Sequence, residues 1–304
     1  MRTRSRRKPE HRSGFVSIVG RPNVGKSTLL NALCGTKLAI VADKPQTTRT
    51  VVQGVLTLEQ AQVVFLDSPG IHPAQSKFNR RMMKAVEEAL GGRDLLIYVA
   101  DATKPVGEAD AAAVEWLKRG GAPALLALNK IDRVENKTAL LPLLQRYQEL
   151  FAFEEYLPLS ALTGEGLEDL KKAILARLPE GPAYFPEDHI TDQPERFLAS
   201  ELIREQVLAA TRQEVPHATA VTVDEWDEEG GLVRLSVTIH VERPGQKVIV
   251  VGTRGARLKE IGARARLQME GLFGKRFYVT LFVKVNARWR ENDQFLNEMD
   301  WRSQ

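Results

Sequence analysis

The sequence has almost no cysteine: Cys34 is the single one among 304 residues. One thiol cannot close an internal disulfide, so no disulfide framework holds this fold, and a reducing cytoplasm is the expected compartment. Cys34 lies in the apolar pattern of a helix and reads as a small buried hydrophobe. Long hydrophobic runs are also missing. No stretch approaches the roughly 20 apolar residues that cross a bilayer as a helix, which still allows peripheral contact with a membrane. The basic N-terminus has no apolar core after it, so a secretory signal is not expected there. Charge is not extreme either, at a formal +4.

That small excess is unevenly spread. Arg2, Arg4, Arg6, Arg7, Lys8 and Arg12 face only Glu10 within residues 1–13, a tail expected to be disordered. It either touches RNA phosphates or is a solvated end. The remaining length suits about two domains, each able to bury a core. Hydrophobic content of 43% and 27% charged residues are those of a soluble globular chain.

The strongest local pattern is Gly20-Arg21-Pro22-Asn23-Val24-Gly25-Lys26-Ser27-Thr28. Phe15–Val19 before it reads as a buried strand, and Leu29, Leu30, Ala32 and Leu33 after it have helical spacing. Strand, glycine loop and helix start form the context in which G-x-x-x-x-G-K-[ST] cradles phosphates. Gly20 and Gly25 let successive N–H groups turn toward one point, and the helix start adds unpaired donors. Lys26 would reach the β- and γ-phosphates, and Ser27 would face Mg²⁺. Chance would produce the pattern in roughly one chain in a hundred of this length, so a mere helix-capping turn is the weaker reading.

From Gly14 to about Pro179, strand-like runs alternate with helical ones. The strands expected are Phe15–Val19, Thr50–Thr57, Val63–Leu66, Leu95–Ala100, Ala124–Leu128 and Glu155–Leu159. The helices expected are Ser27–Cys34, Phe78–Leu90, Glu108–Lys118, Thr138–Phe151 and Leu167–Leu178. Such alternation predicts an α/β sheet with helices on both faces and ligands at the carboxyl ends of its strands. One of those ends carries Asp67-Ser68-Pro69-Gly70. Asp67 can hold a metal beside Ser27, and Gly70 leaves room for a γ-phosphate. A further end carries Asn129-Lys130-Ile131-Asp132. Asp132 can accept two hydrogen bonds from the N1–H and N2–H₂ edge of guanine, a pair adenine lacks. Lys130 can lie along the ring, Asn129 can tie this loop to the phosphate loop, and Ser160-Ala161-Leu162 can offer a backbone N–H to the guanine carbonyl.

The order of these elements is similar to that of the small translation-factor-class GTPases. By that resemblance Lys44-Pro45-Gln46-Thr47-Thr48-Arg49-Thr50 is the first switch. Thr48 is its expected metal ligand and Thr47 the fallback. The catalytic set implied is Lys26, Thr48 and Gly70. Many relatives place a glutamine after D-x-x-G, whereas Ile71 and then His72 stand here. Isoleucine cannot orient water, so two substitutes arise: His72, or a K⁺ ion held by Asn23, which resembles the asparagine of a potassium-binding GTPase subgroup. Slow turnover is expected from either.

Pro179–Pro186 breaks the helical pattern and reads, with the residues to 195, as a linker. An amphipathic helix follows from Phe197, then a hairpin turning at Gly230-Gly231, then Lys247-Val248-Ile249-Val250-Val251-Gly252-Thr253-Arg254-Gly255, a basic-faced helix and a final alternating strand, Phe277–Val285. This α-β-β-α-α-β order around G-x-x-G resembles a type II KH domain, whose glycine loop clamps single-stranded nucleotides. Propensity alone makes Val248–Val251 a strand, while the resemblance needs a helix. A second G-x-x-G, Gly271-Leu272-Phe273-Gly274, reads as a helix stop. RNA-binding candidates are Lys247, Gly252, Thr253, Arg254, Gly255, Arg257 and Lys259, although spacing alone leaves a solvated basic face equally open.

A Ras-like P-loop GTPase domain (14–179) followed by a type II KH domain (196–288) resembles Era, a family of bacterial ribosome-assembly GTPases in the TrmE-Era group. The match includes Tyr184-Phe185-Pro186-Glu187-Asp188 and Arg212-Gln213-Glu214-Val215-Pro216. Residues 289–304 (Trp289, Phe295, Leu296, Met299 and Trp301 among them) form a C-terminal tail expected to be a short helix packing on the domain. Membership implies GTP hydrolysis to GDP and phosphate, Mg²⁺, binding to 16S ribosomal RNA near its 3′ end in the small subunit, and a monomer in the cytoplasm with peripheral contact on the inner membrane face. A rival keeps the RNA binding and makes GTP a structural ligand whose hydrolysis is incidental. An ATPase conflicts with Asp132.

Overall fold

The computed structural model describes residues 11–44, 46–71, 76–212 and 215–303. Most of the basic tail, Pro45, His72 and the Gln213-Glu214 pair therefore lie outside the described residues. Two compact units emerge. The first takes in residues 11–38, 48–71 and 83–192, and the second 39–44, 46–47, 76–82 and 193–303.

The first unit is built on six strands: β1 (Arg12–Gly20), β2 (Val52–Leu58), β3 (Ala61–Asp67), β4 (Leu95–Asp101), β5 (Ala124–Asn129) and β6 (Glu155–Pro158). Their order is β2-β3-β1-β4-β5-β6, with β2 antiparallel to β3 and every other pairing parallel. Its helices are α1 (Lys26–Cys34), α2 (Lys77–Leu90), of which residues 83–90 belong here, α3 (Glu108–Gly120), α4 (Leu140–Leu150) and α5 (Leu167–Arg177). Leu95 to Ala100 are 0% exposed without a break. Helices covering both faces of a parallel sheet explain why this strand reads as a continuous apolar run.

Several boundaries move. Arg12 and Ser13, read with the tail, pair with Ala61 and Gln62 in the sheet. The helix expected from Thr138 opens as a 3₁₀ turn, Lys137–Ala139, because the Asn136 side chain accepts from the Thr138 N–H at 3.0 Å. Residues 180–192 group with this unit rather than standing apart as a linker. The reason is Gln62, fully buried in β3, which accepts from the N–H groups of Tyr184 (2.7 Å) and Phe185 (2.9 Å) and donates to the Phe185 carbonyl (2.9 Å). Burial raises the Cys34 thiol pKa to about 12, in keeping with an unreactive residue.

The second unit contains α6 (Glu195–Ala210), α7 (Val215–Ala218), β7 (Ala220–Glu229), β8 (Leu232–Val241), α8 (Pro244–Val251), α9 (Ala256–Phe273), β9 (Arg276–Val285) and α10 (Asp293–Met299). β8 is central, antiparallel to β7 and parallel to β9. The hairpin turns through Gly230 (φ 58°) and Gly231 (φ 75°), the two positive angles a tight turn of matching twist needs. Alternate residues Val233, Leu235, Val237, Ile239 and Val241 of β8 are at most 2% exposed and face α6 and α9.

Val248–Val251 are helical, as the KH resemblance requires and β-propensity does not. Pro244 opens α8, and the Gln246 side chain accepts from the N–H groups of Glu242 and Arg243 at 2.9 Å each. Only Val250 of the valine-rich run is buried, so the run has no sheet to join. Two further stretches join this unit. Ile40 is buried in its core, and Trp289 is 0% exposed with its indole N–H donating to the Ala218 carbonyl at 2.9 Å. α10 and the buried Trp289, Phe295 and Leu296 are the short packed helix expected at this end.

Candidate nucleotide site and nucleic-acid groove

The carboxyl ends of β1, β3, β4 and β5 converge on the glycine loop of the first unit. Gly20 has φ 149°, and a Cβ there would collide with the Val99 carbonyl. Gly25 has φ 101°, and a Cβ would run into the Asn129 amide. Both conformations and both approaches exclude other residues. Asn23 adopts φ 63° between them. The loop is held from several sides. The Asn129 amide donates to the Val24 carbonyl (2.9 Å), Lys130 Nζ to the Asn23 carbonyl (2.6 Å), and Arg21 pairs with Asp110 on α3 (2.8 Å). Gly70 lies so close to Pro22 that an added Cβ would stand 2.8 Å from its ring.

Lys26 is 6% exposed, with Nζ donating to the carbonyls of Gly20 (3.2 Å) and Arg21 (3.0 Å). Burial lowers its pKa to about 8, and the charge of Asp67 opposes that shift. Thr28 sits in the first turn of α1, whose free N–H groups face the same loop.

The metal-side candidates meet as a cluster. Ser27 Oγ lies 2.7 Å from Thr48 Oγ1 and donates to Asp67 Oδ2 at 2.6 Å, while Thr48 Oγ1 is 3.4 Å from the same oxygen. The Thr47 hydroxyl instead donates to the carbonyls of Lys44 (2.6 Å) and Ala42 (3.2 Å). Asp67 is 0% exposed, and its other oxygen, Oδ1, is buried with no hydrogen-bond partner among the described residues. Burial pushes this carboxyl up to about 6, against the lowering influence of Lys26 and the two hydroxyls. A buried carboxylate oxygen without a donor costs free energy that a cation recovers. Two hydroxyls and one carboxylate are the hard oxygen donors that suit Mg²⁺.

The base-side candidates gather at the ends of β5 and β6. Asn129 Oδ1 accepts from the Ala161 N–H at 2.9 Å, so that N–H is engaged within the protein. Ser160 is buried and its Oγ accepts from the Thr163 N–H (3.2 Å), whereas Asp132 and Leu162 are exposed. Two acids escaped the sequence reading. Asp101 pairs with Lys130 at 2.7 Å, and Asp110 accepts from the Tyr98 and Tyr147 hydroxyls at 3.2 and 3.1 Å besides holding Arg21. Asp101 ends a strand and Asp110 interrupts the buried face of α3, the signals that could have found them.

In the second unit a groove of ≈ 550 Å³ runs beside the Gly252–Gly255 loop between α9 and β9. Gly255 and Lys259 line it, together with Arg266, Leu258 and Tyr278. Gly252 (φ 71°), Arg254 (φ 51°) and Gly255 (φ 79°) give the loop its reversal. Thr253, Arg254, Lys247 and Lys259 are exposed, while the Arg257 guanidinium turns back onto the Ile249 carbonyl. Gly274 ends α9 with φ 66°, so the second glycine pair is the helix stop expected. Arg266 and Tyr278 were not among the sequence candidates, because only packing puts β9 alongside α9.

A family model described as a 50S ribosome-binding GTPase matches residues 15–130, and a KH-domain model matches residues 214–290. The chain is 47% identical to GTPase Era of Syntrophus aciditrophicus (strain SB), covering 95% of each chain. It is 46% identical to GTPase Era of Geobacter metallireducens, over 95% of this chain and 98% of the relative. Among solved structures, an Aquifex aeolicus Era variant bound to GDP·AlF4⁻ is similar with a TM-score of 0.92 and 38% identity, covering 95% of this chain and 99% of that one. An Era complex with MgGDPNP and nucleotides 1506–1542 of 16S ribosomal RNA gives the same TM-score, identity and coverage.

Proposed function

We propose that this chain, which belongs to the GTPase Era family and hydrolyses GTP, is a guanine-nucleotide switch whose KH unit binds 16S ribosomal RNA near its 3′ end during small-subunit assembly. The observation that carries this reading is the pairing, in one chain, of a phosphate loop around the buried Lys26 with an open glycine-loop groove flanked by Lys259 and Arg266. The similar Era structure that holds MgGDPNP and a 16S fragment supports the choice of RNA.

In this reading Gly20 to Thr28 wrap the phosphates through backbone N–H groups, and Lys26 neutralises the β- and γ-oxygens. Ser27, Thr48 and Asp67 would hold Mg²⁺, which when bound would supply positive charge at the phosphates. The Gly70 N–H meets the γ-phosphate, so Thr48 and Gly70 sense its presence. Asp132 selects guanine, Lys130 covers the ring, and Asn129 with Ser160, Ala161 and Leu162 shapes the base pocket. The Ile71 side chain has no hydrogen-bonding group and its backbone N–H donates to the Gly20 carbonyl (3.2 Å), so slow intrinsic turnover follows. A K⁺ ion beside Asn23 would offset that deficit, and single-turnover hydrolysis should then be several-fold faster in KCl than in NaCl; equal rates remove the ion.

Replacing Gly252 and Gly255 together with Asp tests the RNA claim. Two carboxylates in a phosphate clamp should abolish binding to the 16S 3′ end in a filter assay and leave GTP affinity unchanged. Retained RNA affinity would refute the assignment.

A further inference from the structure

The face of the second unit's sheet that points away from α6 and α9 has no function in the account above. Register places Arg276, Tyr278, Thr280, Phe282 and Lys284 of β9 on it, beside Arg234, Ser236 and Thr238 of β8, while His240 at its end is buried against Phe295 of α10. Tyr278 and Phe282 are 61% and 54% exposed. Isolated exposed hydrophobes are ordinary, but two aromatic rings four residues apart on one strand, with Thr280 between, form a row. They lie ~13 Å apart at the usual rise of a strand, about the span of two nucleotides of extended single strand.

Charge separates this face into two halves. Arg276, Lys284 and Arg234 carry its β8–β9 side and form no ion pair or side-chain hydrogen bond among the described residues. The β7 side carries Asp224, Glu225, Asp227 and Glu229. A polyanion is drawn to the first half and repelled from the second. β9 is also an edge strand of the sheet, and Tyr278 lines the glycine-loop groove as well as standing in this row. The aromatic row is therefore continuous with that groove.

We propose that single-stranded RNA leaving the groove crosses the β9 edge and stacks further bases on Tyr278 and Phe282, with Arg276 and Lys284 meeting its phosphates. This rests on the groove itself binding RNA. Bases stack on exposed rings with little regard to sequence, because every base has a π-face. The extension therefore adds affinity and length preference, while the groove retains the sequence choice.

The test compares the full chain with its Phe282→Ala, Phe282→Trp and Lys284→Glu variants. The probes are 16S 3′-end oligonucleotides of four and of eight or more nucleotides, extended from either end. A four-nucleotide piece fills the glycine-loop clamp alone. Phe282→Ala should leave its affinity and the GTPase rate unchanged and weaken one long probe about tenfold. Lys284→Glu should act alike and Phe282→Trp should restore binding. Equal affinities of Phe282→Ala and the unchanged chain for every length overturn the proposal. So does loss of self-association in Phe282→Ala with RNA binding intact, which would make the face a contact between copies. If the unchanged chain binds no probe of any length, the groove reading falls and this one with it. Short-probe binding that survives while long probes gain nothing removes only the extension.

Discussion

The chain carries two glycine loops read as phosphate binders, and they are built in opposite ways. The loop from Gly20 to Ser27 is held by groups from other elements: Asn129, Lys130, Arg21 on Asp110, and Gly70 against Pro22. The loop from Gly252 to Gly255 is held by its own neighbourhood. The Gly252 N–H donates to the Val248 carbonyl (2.9 Å), the Gly255 N–H to the Gly252 carbonyl (3.2 Å), and a Cβ on Gly255 would meet nothing. A closed loop wraps one small anion and must tolerate no intrusion. An open one clamps a polymer that enters and leaves along its length.

Alanine in each loop offers the sharpest way to break this contrast. Gly25→Ala forces a left-handed backbone and drives Cβ into the Asn129 amide, so GTP affinity should fall more than ~100-fold. Gly255→Ala adds only the left-handed strain of about 1 kcal/mol, so RNA affinity should fall roughly fivefold. Titrations with a fluorescent GTP analogue and labelled RNA read both, and losses of similar size would erase the distinction.

Next in size is base choice. Asp132→Asn removes a charged acceptor from the guanine edge and should weaken GTP by about 10- to 100-fold while favouring xanthosine nucleotides. Retained guanine preference would dismiss Asp132 as the selector, and RNA binding by the open loop should not change.

The smallest effect is one of pH. The Asp67 carboxyl is raised by burial to about 6, so its proton is taken up as pH falls through that value. Mg²⁺ needs the carboxylate, so Mg²⁺-dependent GTP binding should weaken up to ~10-fold per unit below about pH 6 and be flat above 7. The same titration in EDTA should lack this dependence. Because the raised pKa favours the protonated folded form, stability contributed by Asp67 falls as pH rises from about 4 to 6. RNA binding through exposed Lys259 and Arg254 should show no such step.

Much of the closed site was legible because its residues follow strand ends in short fixed motifs. Lys26, Asp67 and Asn129 each sit at or just beyond a strand whose apolar run is visible in the chain. Asp101 and Asp110 were not legible as partners, since Lys130 and Arg21 reach them across 29 and 89 positions. Thr47 and Thr48, the two metal-side candidates, also differ only in the coordinates. Adjacent identical side chains give no signal until one is seen beside Ser27 and the other on the Lys44 carbonyl.

Local order was written in the sequence: strand periods, helix stops such as Gly274, and the glycines whose positive φ no other residue adopts readily. Those properties depend on a residue and its near neighbours. Tertiary structure alone drew Ile40 into the second core and laid β9 beside α9 to form a groove. Each of these outcomes is decided by burial against residues far away in the chain. Burial competes with local propensity and, where several kcal/mol of apolar contact are at stake, overrides it.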